Sequence, residues 1–407
     1  MLDLILKAFK EQFYTVSVYS RQLAGTIVIL LIARYLSVHD FGLFSSYKSI
    51  AAFCLLFANL DFDLYILVSS KANQNEVKLK ISFFLLNAFS IILFVSLGSF
   101  LFNIENHILF IFVLIRTFFD GTFFGLILPY FQATKKFNTI AKINIVYSFV
   151  ISLIAVYSYI KHLSLIQFLI LNIIAGIINF LQCTYFAKIN YLLALVKIKR
   201  FFQMLDKTIW SFIGSSITSY IYTQITALYV AVFLLKEQAA LFFAAFTISN
   251  ITTLFAAAQV QKILPEMIKK TPEEHINIIK KNCIIMGTIF GIILLGFVFG
   301  GKLFLKLLYA KDYYMNAYYV LLILTLANII IGIGRIFGNY IAVIGHQAIK
   351  VRIKVETSVI SILGLVCLHK LGIEGASLAV LISSIYNTSR YIIFSMKKIK
   401  INLIKEN

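Results

Sequence analysis

The chain is a succession of apolar runs, each near the length of a membrane span, separated by short charged tracts, and this recurrence settles what the solvent must be. About 20 residues of helix cross about 30 Å of hydrocarbon, and only helices or closed barrels satisfy their own backbone polar groups there. Barrel strands alternate polar and apolar residues, whereas these runs are apolar throughout. At 60% hydrophobic and 13% charged residues over 407 positions, the chain lies outside what a soluble domain with a polar exterior tolerates. The expectation is an all-α polytopic membrane protein of about twelve transmembrane helices.

Spans are expected near residues 14–34, 41–69, 81–102, 107–130, 141–160 and 164–187, and again near 208–235, 239–264, 283–308, 315–344, 353–370 and 373–396. Connections on the side of both termini then hold about 25 Lys and Arg, against about 6 on the other side. That asymmetry is expected to place both termini on the cytoplasmic side. It also accounts for the 37 basic against 17 acidic residues and the net charge of +20 without nucleic acid, because the basic residues are dispersed over alternate loops. Anionic headgroups of membrane lipids are the expected partners. Met1 to Phe13 is mildly amphipathic and carries no cleavable-signal pattern.

The longest internal connection, Lys188 to Lys207, divides the chain into an N-terminal six-helix lobe (1–190), a basic cytoplasmic linker (191–207), a C-terminal six-helix lobe (208–396) and a cytoplasmic tail (397–407). A weak internal repeat agrees with the division. Leu36–Ile50 aligns without gaps on Leu234–Ile248, sharing Leu36/Leu234, Leu43/Leu241, Phe44/Phe242 and Ile50/Ile248. Both segments join the first two spans of their half, as a parallel duplication requires.

Charges at membrane depth are costly, about 2.5 to 3.5 kcal/mol each on insertion scales, so each asks for a cavity, a partner or a route to the interface. Arg116 lies close to the midplane of the fourth span, with Asp120 one turn further on the same face. The pair reads either as an i, i+4 ion pair that lets the helix insert, or as a cavity pair whose arginine competes between Asp120 and a substrate phosphate. Arg21 and Lys48 each lie about two turns inside their spans and read as substrate-facing or snorkelling. Arg335, in a run with Asn328 and Asn339, is the deep cation of the second lobe. Arg34 and Arg390 read as interfacial anchors. Asp61 and Asp63 suit either an interfacial cap or a carboxylate that senses sodium or protons. Ser211, Ser215, Thr218, Ser219, Thr223 and Thr226 form a hydroxylated stripe that fits a sugar-lined wall and helix packing equally.

No catalytic constellation stands out. Cys54, Cys183, Cys283 and Cys367 stand singly in apolar runs, the six His residues show no HExxH spacing, and no phosphate-binding glycine loop is present. Neither a metal nor a cofactor is expected, and no loop is long enough for a soluble catalytic domain.

The first span and its loop, YSRQLAGTIVILLIARYLSVHDFGLFSSYKSI, resemble the opening of Wzx-type O-antigen and polysaccharide flippases through Ala33, Arg34, Leu36, Phe41 and Gly42. The stretches PYFQATKKFNTIAKINI, NYIAVIGHQAIKVRIKVE and GIEGASLAVLISSI agree in their expected places. The resemblance implies the multidrug/oligosaccharidyl-lipid/polysaccharide (MOP) exporter fold, two six-helix lobes about a central cavity as in MATE transporters. It implies a non-enzymatic flippase for an undecaprenyl-pyrophosphate-linked oligosaccharide, working by alternating access beside other polysaccharide assembly proteins. The chain is short for the lipid II flippases, which carry two extra C-terminal spans. On that reading Arg21, Lys48, Arg116 and Arg335 bind the anionic head, while Asp120, Asp61 and Asp63 couple to sodium or protons or act as ion-pair partners. The rival readings are a cation-coupled drug exporter of the same superfamily, which would hold acidic residues in its cavity, and a membrane polysaccharide polymerase or ligase, which would present a large outer loop.

Overall fold

A computed structural model describes residues 2–59, 74–100, 104–122, 127–134, 136–188, 218, 221, 224–253, 256, 272–344 and 346–406. Every regular element among them is helical, as apolar runs in a bilayer demand. The chain forms two compact units, Met1–Ile217 and Thr218–Asn407. The first contains α1 (Leu2–Tyr35), α2 (Val38–Asn59), α3 (Gln74–Ser99), α4 (His107–Thr122), α5 (Leu128–Ala133), α6 (Phe137–Lys161) and α7 (Leu165–Ala187). The second contains α8 (Gln224–Phe233), α9 (Lys236–Ser249), α10 (Pro272–Tyr309), α11 (Tyr318–Val343), α12 (Gln347–Cys367) and α13 (Gly372–Glu406). The linker expected over 191–207 lies outside the described residues.

Helix ends differ from the expected spans for local reasons. Here α1 runs 34 residues, or about 51 Å, so the amphipathic N-terminus continues the first span instead of preceding it. Of the span expected over 107–130, the described parts are α4, through Thr122, and α5, from Leu128, with Pro129 in its first turn, where a missing N–H is tolerated; residues 123–126 lie outside the described residues. By length and composition α6, α7, α10 and α11 each suffice to cross a membrane.

The repeat has a structural counterpart. In the first unit α1 ends at Tyr35 and α2 begins at Val38; in the second α8 ends at Phe233 and α9 begins at Lys236. These are equivalent positions of the aligned segments, and Leu43, Phe44, Leu241 and Phe242 are all buried. The caps differ. Ser37 Oγ accepts from the Asp40 backbone N–H at 3.0 Å, whereas Leu235 offers no side-chain cap.

In the second unit α11 packs against α9, α10 and α13. Small residues permit the close approach: a Cβ at Gly334 would lie 2.4 Å from Thr388 Oγ1, whose hydroxyl donates to the Ile330 carbonyl at 3.0 Å. Arg390 does not stand as a lone headgroup anchor. Its Nη2 lies 3.1 Å from Glu356 Oε2 on α12, and Glu356 also accepts from Arg352 at 3.0 Å and from the Tyr386 hydroxyl at 2.8 Å. Arg390, expected as an interfacial anchor, thus also has a carboxylate partner on the neighbouring helix.

Candidate functional site

Five helices of the first unit form a ring: α1 packs on α6, α6 on α7, α7 on α4, and α4 on α2, which meets α1 at their shared turn. The α4–α7 contact is tight, since a Cβ at Gly176 would come within 3.0 Å of the Phe119 Cβ. In the N-terminal half of α2, the Tyr47 hydroxyl accepts from the Asn106 backbone N–H at 3.0 Å, and Asn106 Oδ1 accepts from Leu109 N–H at 2.9 Å, capping α4.

Within this ring the charged residues converge. Arg21 on α1 is 5% exposed; its Nη1 donates to Asn144 Oδ1 on α6 at 3.2 Å, and its guanidinium carbon sits 4.4 Å from the centre of the Tyr147 ring. The Tyr147 hydroxyl donates to Asp120 Oδ1 at 2.7 Å, and Arg116 Nη2 lies 3.7 Å from Asp120 Oδ2 on the same helix. Lys48 on α2, half-buried, is within electrostatic reach of both Arg116 and Asp120. Among the described residues the cluster gathers Arg21, Lys48 and Arg116 around Asp120, in a setting where a charge away from water asks for a partner. Two buried donors, Arg116 Nε and Asn144 Nδ2, have no hydrogen-bond acceptor among the described residues.

Four residues singled out from sequence, Arg21, Lys48, Arg116 and Asp120, are thus neighbours in space although they come from three helices. Arg335 belongs to the second unit, where its Nη1 reaches the Thr253 carbonyl at 3.5 Å and Asn328 Nδ2 donates to Ser249 Oγ at 3.2 Å. Asp61, Asp63 and most of the hydroxylated stripe lie outside the described residues; of the stripe, Thr226 is buried and Thr218 half-buried. Sequence reasoning missed Asn144 and Tyr147. A signal existed in Asn144, Tyr147 and Ser148, whose spacing puts three polar residues on one face of an otherwise apolar helix.

Tyr147 bridges Arg21 and Asp120. Tyr147→Phe keeps the ring under the guanidinium and removes only the hydroxyl, so it should lower stability by about 1.5 to 3 kcal/mol, the range for a hydrogen bond to a charged group. Thermal unfolding of the purified protein measures this, and an unchanged transition would remove the tyrosine from the network.

The fold is that of the MOP exporters. Over 96% of this chain, the structure superposes on 90% of a lipid II flippase, MurJ, in an inward closed conformation, with a TM-score of 0.74 at 16% identity. Over 95% of the chain it superposes on 96% of an inward-facing MATE multidrug resistance transporter of the MOP superfamily, TM-score 0.71 at 10% identity. A MOP superfamily transporter from Pyrococcus furiosus, described as having a binding pocket of reverse polarity, matches over 96% of this chain and 94% of its own, TM-score 0.63 at 11% identity. No family model matches the sequence, and no curated protein matches it. The chain is accordingly a multi-pass membrane protein with the MOP architecture.

Proposed function

We propose that the chain is a flippase that moves a polyprenyl-pyrophosphate-linked oligosaccharide, an O-antigen or other surface-polysaccharide repeat unit, from the cytoplasmic to the periplasmic leaflet of a bacterial inner membrane. The observation that carries this reading is the convergence of Arg21, Lys48 and Arg116 around Asp120 within one helical unit. A pyrophosphate diester is doubly anionic, and arginine donates to phosphate oxygens through a planar fork. Arg116 Nε and Asn144 Nδ2 are donors such a head would use. The lipid tail stays in the bilayer, and alternating access carries the head across. The solved lipid II flippase, which handles a lipid-linked cargo by its description, supports the class.

A cation-coupled drug exporter shares the fold. Its cargo would need a carboxylate free to receive it, whereas Asp120 is engaged by Arg116 and Tyr147. Asp120, with a side chain 35% exposed, is the described carboxylate through which sodium or proton coupling would act.

The test is a strain lacking this protein. Lipid-linked oligosaccharide should accumulate on the cytoplasmic leaflet, wild-type protein should clear it, and Arg116→Ala at equal membrane abundance should export about tenfold less or worse, as expected for loss of a charge-assisted contact of about 1.5 to 3 kcal/mol. Unchanged lipid intermediates in the deletion strain would refute the flippase reading.

A further inference from the structure

A second basic cluster stands apart from the ring. At the end of the first unit where α3 and α6 begin and α7 ends, three lysines from three different segments come together: Lys78, near the start of α3, reaches over Tyr130 of α5; Lys136, the N-cap of α6, donates its backbone N–H to the Phe131 carbonyl of the same α5 at 2.9 Å; and Lys188 is the C-cap of α7, which packs along α6. Lys136 and Lys188 are exposed and Lys78 is half-buried, its ammonium 5.9 Å from the centre of the buried Tyr130 ring. Burial, and then the like charges of Lys136 and Lys188, hold the Lys78 ammonium below its ordinary range. Among the described residues no carboxylate pairs with any of the three.

Lys188 carries two further marks. It adopts a left-handed conformation, φ 55° and ψ 49°, which a residue with a Cβ adopts at a cost and which glycine or asparagine usually supplies at a helix end. It also borders a cavity of about 700 Å³ whose other described walls are Leu181, Thr184, Tyr185 and Phe186. Tyr185 and Phe186 are exposed large side chains there, so the cavity is apolar along one side and cationic at its end.

We propose that Lys78, Lys136 and Lys188, with the adjoining cavity at the end of α7, bind an anionic glycerophospholipid, the phosphate against the lysines and an acyl chain against Leu181, Tyr185 and Phe186. Like charges gathered from separate segments call for a counter-anion, and an apolar wall beside them favours one with a hydrocarbon chain over a free ion. The charge asymmetry of the loops puts this end of the unit in the cytoplasmic leaflet, where anionic lipids act on basic segments. The site is separate from the ring and does not depend on which cargo the ring takes.

The experiment uses the full chain purified in detergent, exposed to phosphatidylglycerol or phosphatidylcholine, with bound lipid counted by native mass spectrometry. Phosphatidylglycerol should be retained over phosphatidylcholine. Replacing Lys78, Lys136 and Lys188 with glutamine should reduce its retention at least tenfold, at about fivefold per lysine near the surface. Lys161→Gln, at the opposite end of α6, should leave retention unchanged, and arginine at the three positions should restore it with the same thermal stability. Tyr185→Ala with Phe186→Ala should weaken retention of a long-chain lipid more than of a short-chain one. Equal retention of both headgroups, indifference to the triple substitution, or occupation by inorganic phosphate with no preference for lipid would each overturn the proposal.

Discussion

Asp120→Asn is expected to destabilise the protein more than Arg116→Met does, although each removes one partner of the same ion pair. The difference follows from the charge count. Losing Arg116 leaves Asp120 held by the Tyr147 hydroxyl and attracted by Arg21 and Lys48, whereas losing Asp120 removes the one described carboxylate that faces Arg21, Lys48 and Arg116 together. Removing one partner of a buried pair costs about 3 to 5 kcal/mol, and the partial exposure of Asp120 sets the expected loss toward about 3 kcal/mol, read by thermal unfolding in detergent. The double variant Arg116→Met, Asp120→Leu removes both charges and should recover part of that stability. It should not recover export, because the cation is gone. On the proposed function, a double variant that both folds and exports like wild type would mean that the pair serves only to let α4 insert and that Arg116 does not hold the cargo.

Gly375→Ala is expected to have the largest effect of a single added methyl group. A Cβ at Gly375 would sit 2.1 Å from the Leu368 carbonyl oxygen, a backbone atom that cannot swing aside, and 3.0 Å from the Leu371 Cβ. Three residues earlier Gly372 holds φ 56° and ψ −127°, a conformation essentially reserved for glycine, and a Cβ at Gly364 would meet Ala379 at 3.1 Å. The turn between α12 and α13 thus relies on absent side chains at three points. Overpacking costs about 1 to 3 kcal/mol, and a clash with backbone belongs at the upper end. Gly291→Ala on α10 is the control. Nothing lies within 4 Å of its Cβ position, so helix propensity alone should stabilise it by about 1 kcal/mol. Equal unfolding temperatures for the two variants would show that the turn can open to accept a side chain.

Most of the architecture was legible because a bilayer leaves few choices. Long apolar runs must be helices, and even the weak repeat located the turns, since Tyr35 with Val38 and Phe233 with Lys236 mark helix ends at matching offsets. Helix limits were less legible. At the N-terminus α1 reaches back to Leu2, because a stretch with Lys7, Lys10 and Glu11 carries no apolar signal for a helix that continues beyond the span. Charges in apolar runs are conspicuous, so Arg21, Lys48, Arg116 and Asp120 could be picked out singly; that they meet depends on which helices are neighbours, which spacing along the chain does not encode. Tyr147 and Asn144 escaped because a tyrosine or asparagine in a span is ordinary until its partner is known. Glu356 was overlooked for the opposite reason. It sits beside Arg352 near a presumed span end, where a charge needs no explanation, and its link to Arg390 crosses between helices.

The cationic cluster is assembled from helices of one unit alone, and this bears on how a cycle could acquire a direction. Whatever rearrangement the two units undergo, the distances from Arg21 to Asn144 and from Tyr147 to Asp120 belong to a single body and need not change. A ligand held only by such a body binds every arrangement equally, and equal affinity shifts no population however tight it is. The cluster can therefore supply grip without supplying bias. Bias must come from a contact made in one arrangement and lost in another, or from an ion that alters the charge of Asp120, so the work of transport is to be sought in what changes around the cluster while the cluster itself stays constant.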